Sequence, residues 1–280
     1  MNSGKFVGID SVADERIWSE SVYADYVSFN GKAAIMMRLC RYPEYNTSWL
    51  WVFCFLPKGI YGFTNNYLPC SKDITLVEEA DVTYNIIGGN SAAFQRYGER
   101  DSPRMAEIIA NVKAHRQRKG LLDMESTNLK IKGSYEPKYK PWRANKYRTE
   151  WIGNVKVMVK TDDSEYKLEG YGHWHEQHQK APRWKTSFTY ISLRGKNLSF
   201  VGTNAEENDI GWLVSSSNPK RVSKIQIGPL TLHRSINIHL EDNSILEGQI
   251  HTVYNYFVPV YNRWRPGTIV TAELGNAILT

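Results

Sequence analysis

The chain has 280 residues, 41% of them hydrophobic and 23% charged, with a formal net charge of +6. That is an ordinary globular composition, long enough for one large all-β unit or two barrels in tandem. No run approaches the ~18 apolar residues of a membrane-spanning helix, and none after Met1 has signal-peptide length, so a cytoplasmic protein is expected.

Strand patterns open the chain. Residues 18–29 are strand-like, Asn30-Gly31 marks a tight turn, and 32–41 follow as the partner strand. Residues 48–56 (SWLWVFCFL) are almost continuously apolar, as in a strand buried on both faces. Pro57-Lys58-Gly59 turns the chain into 60–67, and 82–87 form another short strand before Gly88-Gly89. Cys40, Cys54 and Cys70 cannot all pair with one another and sit in no CxxC, so small buried thiols are expected.

Residues 103–119 carry the signals of a single helix. Ser102 can cap it, Pro103 suits its first position, and Glu107 lies in its first turns. Met105, Ile108, Ile109 and Val112 fall at i, i+3, i+4 and i+7, giving one apolar stripe. Lys113 to Lys119 crowd the end, and Gly120 can stop it. Residues 130–148 interleave Tyr135, Tyr139, Trp142 and Tyr147 with Lys138, Lys140, Arg143, Lys146 and Arg148. A single-strand nucleic-acid platform can look like this, but Pro137 and Pro141 and the lack of any RRM, KH or helix-turn-helix pattern favour a solvated connector. No nucleic-acid partner is expected, and transient contact with a membrane surface is the alternative use of these cations.

Strand patterns then resume at 151–160, 166–177, 186–194, 198–203 and 211–215. Ile236, Ile238 and Leu240 alternate with Asn237, His239 and Glu241, and 245–258 return after a turn at 241–244. The reading is mainly β: two antiparallel sheet or barrel domains with one flanking α-helix, divided as 1–135 and 136–280.

The densest group of reactive side chains is Gly170-Tyr171-Gly172-His173-Trp174-His175-Glu176-Gln177-His178-Gln179. On a strand His173, His175 and Gln177 point one way, and Trp174, Glu176 and His178 the other. Glu176 beside His178 is a candidate acid/base pair. An aromatic surrounding disfavours a charged carboxylate, and a neutral carboxylic acid is what protonation of an unactivated double bond requires. Trp and Tyr faces could shelter the resulting cation. His-x-His is also a zinc spacing, but Glu176 falls on the wrong face to join it, so no metal is expected. His233, His239 and His251 are weaker candidates, as are Asp81, Tyr84 and Asn204 as pocket residues. No Walker or Rossmann loop, GxSxG elbow or HExxH occurs.

Two stretches carry a resemblance. Tyr42-Pro43, then Ser48-Trp49-Leu50-Trp51-Val52-Phe53 and Leu56-Pro57-Lys58-Gly59, resemble the opening of proteins related to carotenoid 1,2-hydratase (hydroxyneurosporene synthase) and the AttH group. Glu169-Gly170-Tyr171-Gly172 through Trp184 resembles their central motif. Glu176 and Trp184 match it, whereas Gln177 stands where the family often has His and His178 lies one place later. The resemblance implies two lipocalin-like β-barrel domains around an apolar cavity, in a superfamily of isoprenoid hydratases, tocopherol-cyclase-like enzymes and lipocalin-type pericyclases.

The expectation is therefore an enzyme that hydrates or cyclises an isoprenoid or polyene substrate. Glu176, His178 and His175 are the catalytic candidates. His173, Trp174, Tyr171, Trp184, Trp51 and Tyr84 are the substrate-binding ones. No cofactor is expected, and a hydrophobic small molecule is the partner. A pericyclase and a non-catalytic carrier of a hydrophobic ligand are the alternatives, since all three use the same barrel.

Overall fold

The computed structural model describes residues 18–76, 78–118, 121–180, 187–206, 208–215, 218–260, 263–275 and 277–279. Among them there is no α-helix; one 3₁₀ turn, Pro43–Tyr45, interrupts an otherwise all-β chain.

The first part of the chain runs through β1 (Trp18–Ser28), β2 (Ala34–Tyr42), β3 (Thr47–Leu56), β4 (Gly59–Leu68), β5 (Asp81–Ile86) and β6 (Ser91–Glu99). It continues with β7 (Ser102–Arg118), β8 (Leu121–Pro137), β9 (Trp142–Asn145), β10 (Arg148–Lys160) and β11 (Glu165–Lys180). These strands form one antiparallel sheet in the order β4-β3-β2-β1-β11-β10-β8-β7-β6-β5, with β9 paired to β10. A further pairing of β4 with the end of β7 closes the ring. The result is an up-and-down barrel of the lipocalin-like type, with β5 and β6 as an appended hairpin.

The second sheet follows chain order through β12 (Phe188–Arg194), β13 (Ser199–Ala205), β14 (Ile210–Val214), β15 (Lys220–Ile227), β16 (His233–Leu240), β17 (Ile245–Val260), β18 (Arg263–Leu274) and β19 (Ala277–Leu279). Its two ends curl together, with Leu279 and Ile278 crowding Gly195 just after β12. Sheet membership therefore changes between Lys180 and Phe188, and β10 and β11 lie in the first barrel.

Where a helix is expected at 103–119, the described residues through Arg118 form the strand β7. Ala106, Ile108, Ala110, Val112 and Ala114 are all buried at every second position, while Ile109 is 48% exposed. That period-2 row faces the barrel core, and pairing with β6 and β8 outweighs the cap-like Ser102-Pro103 start. The expected connector at 130–148 is also strand for the most part, completing β8 and forming β9.

Each barrel is filled from its inward row. In the first, Val22, Ala24, Ile35, Met37, Leu50, Val52, Phe94, Ile108, Ile131, Trp151 and Trp174 belong to one core. In the second, Leu193, Phe200, Val222, Ile225, Ile236, Ile238 and Leu240 form another. The barrels join through two apolar patches. Met36, Trp49, Trp51, Phe53 and Phe55 on the outside of the first meet Tyr256, Val258, Val260 and Ile269. Trp142 and Ile152 meet Val201, Trp212 and Val214. The 48–56 run is doubly apolar because one face of β3 fills a barrel and the other forms this seam.

Candidate functional site: a cavity between the barrels

The two faces of β11 look into different places. Trp174, Glu176 and His178 point into the first barrel, while His173 and His175 point toward the seam, where Tyr23 of β1 and Tyr190 of β12 surround them. The paired glycines ahead of them have a steric reason. A Cβ at Gly170 would strike the Val27 carbonyl, and one at Gly172 would meet Val155, Tyr135 and the Asp25 carbonyl. Only glycine lets β1 approach this closely.

On the barrel side the polar groups are tied to one another. Glu176 is 1% exposed. Its Oε1 accepts from Arg96 Nε and from Trp174 Nε1, both at 2.8 Å. His178 Nε2 lies 2.8 Å from the Tyr84 hydroxyl. Glu20 accepts from Arg41 at 2.5 Å and from the Thr75 amide. Burial pushes the Tyr84 hydroxyl well above its ordinary range, and the Glu176 charge adds to that.

On the seam side lies a cavity of about 800 Å³. Its floor is the outside of the first barrel, with Tyr23, Met36, Arg38, Trp51, Arg148 and His175. Its roof is the open mouth of the second sheet, with Tyr190, Ile191, Arg234, Ile250, Tyr256 and Arg265. The described lining contains no Asp and no Glu. Arg38 lies over the Trp51 ring at 5.4 Å, and Arg148 over the Tyr190 ring at the same distance.

Behind the wall runs a buried chain of hydrogen bonds. Glu150 and His173, both 0% exposed, are 3.1 Å apart at Oε2 and Nε2. His173 Nδ1 lies 3.2 Å from the Tyr190 hydroxyl. Burial pushes the Glu150 carboxyl up, but the Arg148 guanidinium and the His173 ring together hold it below the ordinary carboxylate range. An ionised carboxylate only accepts, so Nε2 of His173 carries the hydrogen and Nδ1 accepts from Tyr190. Burial lowers the His173 pKa despite Glu150 and raises that of Tyr190, so both are neutral at pH 7. A proton arriving at the Tyr190 oxygen can therefore be relayed to an imidazole that a carboxylate stabilises. Asp25 ties the barrels together beside this chain. It accepts from Ser192 Oγ at 2.5 Å, from Arg194 at 3.1 Å and from the His173 amide at 3.1 Å.

The sequence candidates thus fall into separate groups. His175 and Trp51 line the cavity, and Trp51 Nε1 is anchored to Asn66 at 2.9 Å. His173 stands one hydrogen bond behind the wall. Glu176, His178, Trp174 and Tyr84 lie together inside the first barrel. Tyr171 packs edge-on against Phe29 at 4.8 Å, and Trp184 lies outside the described residues. Sequence reasoning passed over Tyr23, Arg148, Glu150, Tyr190, Arg234 and Tyr256. The available signal was the pair Arg148 and Glu150, two charges at the start of a strand that goes on to alternate buried and exposed residues. Among the described residues no cluster of three or more His, Cys, Asp or Glu side chains could hold a metal ion, and no helix is long and apolar enough to cross a membrane.

No family model matches the chain, and no curated protein matches it by sequence. Solved structures do. The chain is similar to CghA with Sch210972, at a TM-score of 0.64 and 8% identity over 94% of this chain and 84% of that one. A second structure of CghA gives 0.62 and 7%, over 94% and 86%. An AttH-type protein from Nitrosomonas europaea gives 0.49 and 10%, over 94% and 91%. The chain therefore shares its overall fold with CghA.

Proposed function

We propose that the chain is a lipocalin-type enzyme of natural-product metabolism. It binds an elongated polyene-like substrate between its barrels and promotes an intramolecular rearrangement by holding one reactive conformer. One observation carries this reading: the cavity is lined by aromatic rings and cations, with no carboxylic acid among its described residues. Conformer selection needs shape and fixed dipoles, not a strong acid. The volume lies in the range of small-molecule sites, roughly 300–1,000 Å³. A fold neighbour whose structure contains the compound Sch210972 supports small-molecule binding.

Tyr190 is the polar group best placed to touch the substrate, with His173 and Glu150 positioning it from behind. Acid-catalysed hydration or cyclisation led by Glu176 has less support, because that carboxylate faces the other side of β11 and is ion-paired with Arg96.

The test is incubation of the full chain with linear conjugated polyenes, followed by mass spectrometry and NMR of the products. An isomer of unchanged mass, formed equally well by Glu176→Gln protein, is the expected result. A gain of water, or loss of turnover in a folded Glu176→Gln variant, would restore the acid mechanism. A bound ligand recovered unaltered would make the protein a carrier.

A further inference from the structure

The inward row of β16 is apolar at Ile236, Ile238 and Leu240, all buried, and then breaks at Arg234. Alternation along the strand places Arg234 on that same inward face, at the mouth of the second sheet where the cavity begins. Its Nη2 donates to Thr268 Oγ1 at 3.2 Å, and its Nε is buried with no hydrogen-bond partner. Burial depresses the guanidinium pKa. Neither Arg234 nor Arg265, which also lines the cavity, has a carboxylate within ion-pair distance among the described residues.

A valine or leucine at position 234 would continue the core without this penalty. A half-buried guanidinium with no counter-charge beside it is an unfavourable arrangement. Among its described residues the floor adds no carboxylate to meet it. Arg38 lies over Trp51, and Arg148 over Tyr190, while Glu150, which neutralises Arg148, is fully buried behind the wall. Among the described residues the second-sheet mouth therefore presents Arg234 and Arg265 without a carboxylate beside them, an arrangement suited to a molecule that brings its own negative group.

Resting on the cavity reading above, we infer that the natural ligand carries a carboxylate-type oxyanion, held at the second-sheet mouth by Arg234 with Arg265. Its apolar body lies across Trp51, Met36 and Tyr256. A guanidinium fork matches two anionic oxygens in a plane, which a neutral isoprenoid hydrocarbon or alcohol does not offer.

Fluorescence titration of the full chain with cis-parinaric acid and with its methyl ester tests this. The two probes share one polyene body and differ only in charge. The expected result is at least tenfold tighter binding of the acid at pH 7.5, with the preference reduced to less than threefold in Arg234→Gln and kept in Arg234→Lys. Because Arg234 is partly buried, Arg265→Gln serves as a second variant, and a cooperative melt for each shows that it is folded. Equal affinity of acid and ester for the unmutated chain would overturn the inference while leaving the cavity reading intact. Failure of both probes to bind would remove the cavity reading and this inference together. An unchanged acid preference in both folded variants would also overturn it.

Discussion

Glu176 and Arg96 form a 2.8 Å ion pair in which both side chains are almost fully buried. The pair sits inside the first barrel, on the face of β11 opposite His175 and the cavity. A pair so placed chiefly maintains the fold, since neither charge can be left alone in the core. Glu176→Gln is expected to lower stability by about 3 kcal/mol, because it removes the carboxylate charge paired with the buried Arg96 guanidinium. Urea denaturation of the variant measures this. A loss below about 1 kcal/mol would mean that water or another group reaches Arg96.

Tyr190 and His173 make the opposite prediction. Removing the hydroxyl in Tyr190→Phe leaves the ring packing against Tyr23 but breaks the bond to His173. Once a substrate is in hand, turnover is expected to fall about 10²-fold. KM should stay within about threefold of the unmutated protein, because the lost group acts in the reaction more than in binding. His173→Gln, one step further from the cavity, should lower kcat less. A Tyr190→Phe protein with unchanged kcat would show that shape alone does the work.

The same buried chain sets how stability depends on pH. The folded-state pKa of His173 lies below its ordinary 6.5, so the unfolded chain takes up that proton first as pH falls. Its contribution is complete above about pH 6.5 and is lost as pH drops through the lower folded value. Glu150, also depressed from an ordinary 4.5, adds a second loss in the same direction at lower pH. Tyr23, Tyr84 and Tyr190 are raised above 10.0, so their contribution is present below pH 10 and disappears as pH rises beyond it. Denaturation midpoints should form a plateau between about pH 7 and 10, with losses on both sides. Replacing His173 by Gln should flatten the first part of the acid limb, between about pH 6.5 and 5. An acid limb identical in the two proteins would assign the effect to other groups.

Ile108 and Ile109 distinguish the strand from the helix that local signals favour. Ile108 is fully buried and Ile109 is 48% exposed. Ile108→Ala is expected to cost about 2–4 kcal/mol and Ile109→Ala less than about 1. A helix packed by the stripe of Met105, Ile108, Ile109 and Val112 would make both costly. Equilibrium unfolding of the two variants decides the matter.

This pair of residues also marks where the sequence was legible and where it was not. The run at 48–56 reveals its strand because it is short, almost continuously apolar and rich in aromatic residues, and that at 236–240 because large apolar residues recur at every second position. Residues 102–118 mislead because their inward row is mostly alanine, too weakly apolar to display alternation, while Ser102-Pro103 imitates a helix start. The alternation of β11 could be read directly, and it separated His173 and His175 from Glu176 and His178. What lay on each side could not. Tyr23, Arg148, Tyr190 and Arg234 sit on four distant strands, and only ladder pairing and docking of the sheets bring them to one cavity. No local spacing encodes such a meeting, and this is why the carboxylate drew attention ahead of the arginines.

Gly267 and Tyr256 give a test of the cavity's shape that does not involve charge. They face each other across the β17–β18 pair, and both line the cavity. A Cβ at Gly267 would overlap the Tyr256 ring, which is packed against Phe53 at 4.9 Å and Phe55 at 5.5 Å. The ring cannot retreat into that aromatic seam, so in Gly267→Ala it must swing toward the open space where a ligand would lie. Overpacking of this kind costs about 1–3 kcal/mol. If binding bears about 1.4 kcal/mol of it, affinity falls about tenfold. cis-Parinaric acid and its methyl ester should weaken by the same factor, because the change narrows the space around the shared chain and leaves Arg234 untouched. Selective weakening of the acid would instead place its carboxylate beside Tyr256, away from the second-sheet mouth.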